Sequence, residues 1–354
     1  MLTFLSFVFV LGLLIFFHEL GHFLVAKKVG VSVERFSLGF PPNIFKYKFG
    51  ETTYCIGIIP LGGYVKMAGE NPDEESTGAP GEFMSKSVSQ RAAVMVAGPL
   101  ANYLLAIVIL AGIYYFAGVP YSDPDRILIG EVVENGPAAL AGIQTGDQII
   151  SVDDHQVVAF DSMRTLINSV VEAPVMINWV RGNDTITTSI TTRRNELINA
   201  NGDIDTVGEI GIVEKIAGYE KYGAGDAIIN GVTTTHVILW ETLKFLKRLI
   251  TGQVSTKLLG GPLFIAQQSG KEARRGPSRL FFFIALLSVN LAVINIQPII
   301  PVLDGGQLVF LLVEKIRGEP LSMNTRIKFQ YVGILAVIGL TVFVTYNDIM
   351  RLLG

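Results

Sequence analysis

Phe17-His18-Glu19-Leu20-Gly21-His22-Phe23 lies inside the first long apolar run of the chain, Leu2 to about Ala26. About 20 apolar residues cross a bilayer as a helix, so this run predicts a membrane span. On a helix, positions four apart share one face, a turn apart. His18 and His22 can then aim both imidazoles at one point, with Glu19 beside them. Two imidazoles so placed suit a zinc ion, and the neighbouring carboxylate can take the proton of a water whose pKa zinc lowers to about 7. A competing reading makes the motif the polar inner end of the helix, next to Lys27 and Lys28, with side chains snorkelling to the interface. Snorkelling does not require the four-residue spacing. Inserting a charged group at the centre of a span costs about 2.5–3.5 kcal/mol, so polar residues there point to function. A secretory signal peptide is disfavoured, since no basic segment precedes the run and no small-residue cleavage site follows it.

Working outward, three more apolar runs follow: about Ala92 to Ala117, Leu280 to about Ile300, and about Val332 to Val344. Over 354 residues the chain is 50% hydrophobic and 17% charged, with a mean hydropathy of +0.46, which is too apolar for a soluble protein of this length. A net charge of −3 offers no global argument for nucleic acid. The single cysteine, Cys55, excludes an internal disulfide and a cysteine-based zinc site. Lys27, Lys28, Arg35, Lys46, Lys48, Lys66, Lys86 and Arg91 follow the first span, and Lys315, Arg317, Arg326 and Lys328 separate the last two. The positive-inside bias makes both loops cytoplasmic, and puts both termini and the long segment from about Pro120 to Arg279 outside.

The first loop reads as four short strands, Ser32 to Phe40, Asn43 to Phe49, Thr52 to Ile59 and Gly62 to Ala68, broken by Gly and Pro. The stretch Tyr54 to Pro60 is apolar on both faces, so the sheet is expected to dip against the helices, since unpaired strands are not tolerated in lipid. Asn71 to Glu82 is acidic and reads as disordered. The outer segment opens with strand Ile127 to Val133, then Gly136-Pro-Ala-Ala-Leu-Ala-Gly-Ile143 and Gly146-Asp147. A helix from Asp161 to Val171, capped by Asp161, and a final hairpin of Val175 to Arg181 with Thr185 to Thr191 follow. The order and the Gly-Pro-Ala signature resemble a PDZ domain of the circularly permuted bacterial type. Thr234 to Ile250 is amphipathic and is expected at the membrane surface.

A zinc site of this kind needs a third ligand and an open position. His155 and His236 fall on the outer side. Asp304, in Pro301-Val-Leu-Asp-Gly-Gly306 at the end of the third span, is the candidate, the alternative being a helix-terminal aspartate. Its glycines permit a tight turn. Asn290 and Asn295 lie in the third span and can either bind a substrate carbonyl or oxyanion, or tie helices together. Asn102, in the second span, reads as structural.

Together these features resemble the site-2 protease family, in the branch of bacterial regulator-of-sigma-E (RseP) type. The resemblance rests on Phe17 to Phe23, Ile59-Pro-Leu-Gly-Gly-Tyr-Val-Lys-Met67, Lys86-Ser-Val-Ser-Gln-Arg-Ala92, Ala97-Gly-Pro-Leu-Ala-Asn102, Gly260-Gly-Pro-Leu-Phe-Ile-Ala266 and Val302-Leu-Asp-Gly-Gly306. It implies a polytopic α-helical membrane protein with four transmembrane helices, a membrane-associated β-sheet and one inserted PDZ domain. The parts would be a first core half at 1–118, the PDZ domain at 119–215, a linker with the amphipathic helix at 216–279, and a second core half at 280–354. It implies an intramembrane zinc metalloprotease of the bacterial cytoplasmic membrane. Zn²⁺ would be held by His18, His22 and Asp304, with Glu19 as base. Asn290 and Asn295 would line the substrate site, and Gly63, Tyr64 and Val65 would pair with an unwound substrate strand. Partners would be single-span membrane proteins, such as an anti-sigma factor or signal-peptide remnants. Two departures stand out. One PDZ unit is visible where enterobacterial members carry two, and the interval from Asn295 to Asp304 is one residue longer than the family pattern. Two other functions compete. A membrane-anchored PDZ adaptor would have no use for Glu19, and a zincin working in water would need a soluble helical domain around the motif.

Overall fold

A computed structural model describes residues 1–70, 77–198 and 204–353. In chain order its elements are α1 (Leu2–Lys28), β1 (Val33–Phe49), β2 (Thr52–Met67), α2 (Val88–Gly112), β3 (Val119–Ser122), β4 (Ile127–Val132), α3 (Pro137–Leu140), β5 (Gln148–Val152), β6 (His155–Gln156) and α4 (Phe160–Asn168). There follow β7 (Pro174–Arg181), β8 (Asp184–Thr191), β9 (Arg193–Ile198), β10 (Ile204–Glu209), β11 (Ile212–Glu214), β12 (Ile216–Glu220), α5 (Ala224–Ile250), α6 (Pro262–Arg275), α7 (Pro277–Ile296), α8 (Asp304–Arg317) and α9 (Met323–Leu353). Among the described residues four helices are long and apolar enough to span a bilayer: Leu2–Lys28, Val88–Ala117, Pro277–Ile296 and Asn324–Leu353. The chain divides into two compact units, one of residues 1–114, 223–247 and 255–354, the other of 115–222 and 248–254.

In the first unit, α1, α2 and α7 share a core of Val10, Leu14, Leu105 and Ile284. The Lys86-Ser-Val-Ser-Gln-Arg stretch starts α2 by a capping box, in which Ser87 Oγ accepts from the Gln90 backbone and the Gln90 side chain accepts from the Ser87 backbone. Arg91 then donates through both terminal nitrogens to Glu314 on α8, with Nη1 at 3.0 Å from Oε2. The pair is buried, at 4% and 10% exposure. The third span ends at Ile296, earlier than the apolar run suggests, because the residue before Pro298 is driven out of the helical region. What reads as a loop after it contains α8, so Asp304 opens a new helix instead of closing the span. The fourth span is longer at both ends than its apolar centre, whose flanking Arg326, Lys328, Asp348 and Arg351 masked its extent.

The first-loop strands run together into two long ones whose halves fold into one sheet. Residues 33–38 pair with 63–67 on one side and with 53–56 on the other, and 52–57 pair in turn with 43–49. The segment 63–67 is therefore an edge, paired on one side only among the described residues. Of the stretch expected to be disordered, residues 71–76 lie outside the described residues, and the backbone N–H groups of Thr77 and Gly78 donate to the Glu82 carboxylate. One face of α5 packs on α2 and α7, where Tyr114 pairs with Thr234 and Tyr103 with His236, each at 2.7 Å.

The second unit is β-rich, as expected of a PDZ-like domain: its sheet runs β11-β4-β5-β7-β8, with α4 against a core of Ile127, Ile129, Ile149, Met163, Ile177 and Trp179. Asp153 and Asp154 both take positive φ, 44° and 64°, in the turn between β5 and β6. Asp161 sits in the first turn of α4 and makes no cap, since the cap position is Ala159. The strand pattern expected from the sequence ends at β8. The structure adds the hairpin β9–β10, and β11 closes the sheet against β4. Asp147 lies under the signature loop. Burial works to raise its pKa, but two hydrogen bonds from Arg181, at 2.8 and 2.7 Å, and one from the Gln144 N–H outweigh it and hold the carboxyl below its ordinary value.

Arg91→Met should destabilise the protein by about 3–5 kcal/mol, because it strands Glu314 as an unpaired buried charge. Adding Glu314→Leu should recover most of that loss. Thermal unfolding of the single and double variants in detergent measures both, and a double variant as unstable as the single would show that the pair does more than neutralise itself.

Candidate metal centre

α1 presents His18 and His22 on one face and α8 presents Asp304 at its first position. Nε2 of His18 stands 3.2 Å from Nε2 of His22. Asp304 Oδ2 lies 3.3 Å from the first imidazole and Oδ1 3.5 Å from the second. A tetrahedral zinc with bonds of about 2.0–2.1 Å requires ligand-to-ligand edges of about 3.3–3.4 Å, so the triangle fits that ion. These three are the only cluster of metal-binding type among the described residues. Asp304 Oδ2 is buried with no hydrogen-bond partner among the described residues, as expected of an atom directed at a cation.

Backbone proximity makes the triangle possible. A Cβ on Gly98 would sit 2.3 Å from His22 Nε2 and 2.8 Å from His18 Cε1. A Cβ on Gly21 would sit 2.2 Å from the Ala97 carbonyl oxygen. Gly305 and Gly306 act alike: their Cβ atoms would lie 2.3 Å from Ile296 O and 2.4 Å from Ile300 O. Both follow Asp304 in the first turn of α8, so their purpose is close approach, and the tight turn expected of them is not what they make. His22 Nδ1 donates to the Val94 carbonyl at 2.8 Å, which leaves Nε2 as the free lone pair.

Glu19 lies beside this triangle and against the sheet edge. A Cβ on Gly63 would be 3.0 Å from Glu19 Cγ and 2.7 Å from Ile15 Cγ2, and the Val65 backbone interacts with the Glu19 carboxylate. Gly63, Tyr64 and Val65 border, with His18, Glu19, His22 and Asp304, a cavity of about 290 Å³. Tyr64 is held by stacking on Phe40 and by a 3.1 Å hydrogen bond from Arg35. Glu70, Gln307, Arg326 and Gln330 line the same cavity, and nothing in their local sequence marked them.

The asparagines separate. Asn295 Nδ2 is 3.5 Å from His18 Nδ1 despite the extra residue before Asp304, which the 297–303 turn absorbs. Neither asparagine is among the residues that border the cavity, and Asn290 faces elsewhere: its Oδ1 accepts from Thr242 on α5 at 2.7 Å. Asn102, read as structural, is fully buried with Nδ2 3.3 Å from His18 Nδ1. His155 is exposed and bonds the Asp153 carbonyl, while His236 meets Tyr103, so neither joins the cluster.

The profile described as peptidase family M50 matches residues 6–340. The chain belongs to peptidase family M50. It is 35% identical over 365 residues to a protein of Agrobacterium fabrum, covering 98% of this chain and 96% of the other. It is 31% identical over 428 residues to the regulator of sigma-W protease RasP of Bacillus subtilis, covering 99% of each. The zinc metalloprotease RasP of Bacillus licheniformis matches at 30% with the same coverage. Among solved structures, the PDZ domain of an SdrC-like protein of Listeria innocua is 26% identical over 27% of this chain and 100% of its own, with a TM-score of 0.21. The protein is thus a multi-span membrane zinc metalloprotease of family M50.

Gly98→Ala should leave the bundle folded but lower zinc affinity about tenfold or more, because the added methyl displaces both imidazoles. Gly12→Ala, where a Cβ meets nothing within 4 Å, is the matched control and should be silent. Chelator competition on the purified proteins reads the difference.

Proposed function

We propose that this M50 protease hydrolyses peptide bonds within the transmembrane segments of single-span proteins, with His18, His22 and Asp304 as zinc ligands and Glu19 as base. The observation that carries the reading is the ligand triangle with Glu19 between it and a strand edge that pairs on one side only among the described residues, on helices of membrane-spanning length. A substrate helix must unwind before its amide can be attacked. The edge of residues 63–67 offers it replacement hydrogen bonds by β-addition and so holds the scissile carbonyl by the cavity. Zinc, when bound, supplies a Lewis acid and an acidified water. Glu19 accepts that water's proton at its carboxylate and returns it to the departing amide nitrogen. Asn295 remains available to steady the developing oxyanion.

The basic first loop and the basic stretch around α8 support a cytoplasmic placement for both, with the termini and PDZ unit outside the bacterial cytoplasmic membrane. The relative named as a regulator of sigma-W protease supports an anti-sigma factor as one substrate, and signal-peptide remnants suit the same chemistry. Among the described residues the PDZ unit contributes none to the triangle or its cavity, which supports an influence on which substrates gain access.

Glu19→Gln should retain zinc and lose about 10²–10⁴-fold in the rate of cleaving a reconstituted single-span substrate, because the amide cannot take a proton. A native rate would remove Glu19 from the mechanism. Deleting residues 123–215, which removes the whole sheet and keeps the β3–β12 pair as the join, should leave cleavage of a trimmed substrate intact and admit substrates that still carry a folded ectodomain. A folded, zinc-loaded deletion variant inactive on the trimmed substrate would make the PDZ unit part of the catalytic apparatus.

A further inference from the structure

His18 and His22 are held differently. His22 has a carbonyl acceptor for its Nδ1–H at Val94. His18 Nε2 faces the ligand triangle, so as a neutral ligand it must carry its proton on Nδ1 and needs an acceptor there. Two side chains reach that nitrogen, Asn102 at 3.3 Å and Asn295 at 3.5 Å, and both point their amide nitrogens at it. Asn102 is fully buried, and its Oδ1 is buried with no partner among the described residues. Two donors thus face each other while a good acceptor is left unused. A half-turn of the Asn102 amide exchanges its two ends without changing its shape and satisfies both groups at once.

We propose that Asn102 is a positioning residue for the metal centre, its Oδ1 accepting from His18 Nδ1–H and so fixing the tautomer and ring plane of that ligand. The inference rests on His18 being a zinc ligand. The surroundings are built for it. Asn102 stands one helical turn beyond Gly98, so the residue that admits the imidazoles and the one that orients His18 share a face of α2. Ser288 on α7 donates to the Asn102 carbonyl at 2.7 Å and locks that turn of α2 in place. With Nδ1–H occupied by Asn102, the Asn295 amide is left for the substrate.

The test is zinc affinity of the full-length protein in detergent, measured by competition with a chromophoric chelator. Asn102→Leu keeps the branched outline and removes the acceptor, and should weaken zinc binding about 10–100-fold. Asn102→Asp is an acceptor in either orientation and should bind zinc at least as tightly as the native protein. Thermal stability of the zinc-free forms reports whether the leucine variant folds. Native affinity in a folded Asn102→Leu protein overturns the proposal. So does a tenfold or greater loss in Asn102→Asp, since a donor role for Asn102 requires that loss, and this arm stands even if the leucine variant fails to fold. His18→Ala is run beside them: stoichiometric zinc in that variant would sink the ligand assignment itself, whereas zinc lost there but kept in Asn102→Leu would sink only the role of Asn102.

Discussion

Two imidazoles and a carboxylate can share one small volume in an apolar bundle only if their helices come closer than side chains ordinarily permit. Loops cannot carry such ligands where they would face lipid, because their backbone groups would find no partners there. The ligands must therefore arrive on helices, and the helices must touch backbone to backbone. Gly21 and Gly98 admit α1 against α2, and Gly305 and Gly306 admit α8 against the end of α7. At its other end α8 is tied to α2 through Glu314 and Arg91, about 15 Å along the helix from Asp304. The carboxylate ligand is thus held by a close glycine contact at one end of its helix and a buried ion pair at the other.

The same constraint shapes the sheet. A strand edge exposed to lipid is not tolerated, and one that lies against protein beside a cavity is. Residues 63–67 meet that condition by pairing with 33–38 on one side and pressing Gly63 onto α1 next to Glu19. The glycine in this edge is a packing requirement, since any side chain there would push the strand away from the base. Tyr64, braced by Phe40 and Arg35, keeps the edge straight at the level of the metal ligands.

The parts of the centre that were legible in the sequence are those that local spacing decides. His18, Glu19 and His22 are positioned by the helix repeat, and the spans by apolar length. Four short strands were read where the sheet does have four paired segments, because Gly and Pro mark where the two long strands bend. Elsewhere local signals misled. Asp304 looked like the tail of a span because the apolar run continues past Ile296, yet Pro298 ends that helix and a new one begins. The hairpin β9–β10 and strand β11 were missed because their residues alternate weakly and follow a hairpin that already looked final.

By itself, then, the sequence determined the class of the protein, the identity of the zinc-type motif and the order of its parts, since each follows from residues within a few turns of one another. Which asparagine meets which histidine was decided by the tertiary structure alone. Asn102 and Asn295 stand 84 and 277 residues from His18, while Asn290, five residues before Asn295, is turned away to Thr242. Five residues on a helix of 3.6 per turn point to different neighbours, and what those neighbours are depends on how helices distant in sequence pack.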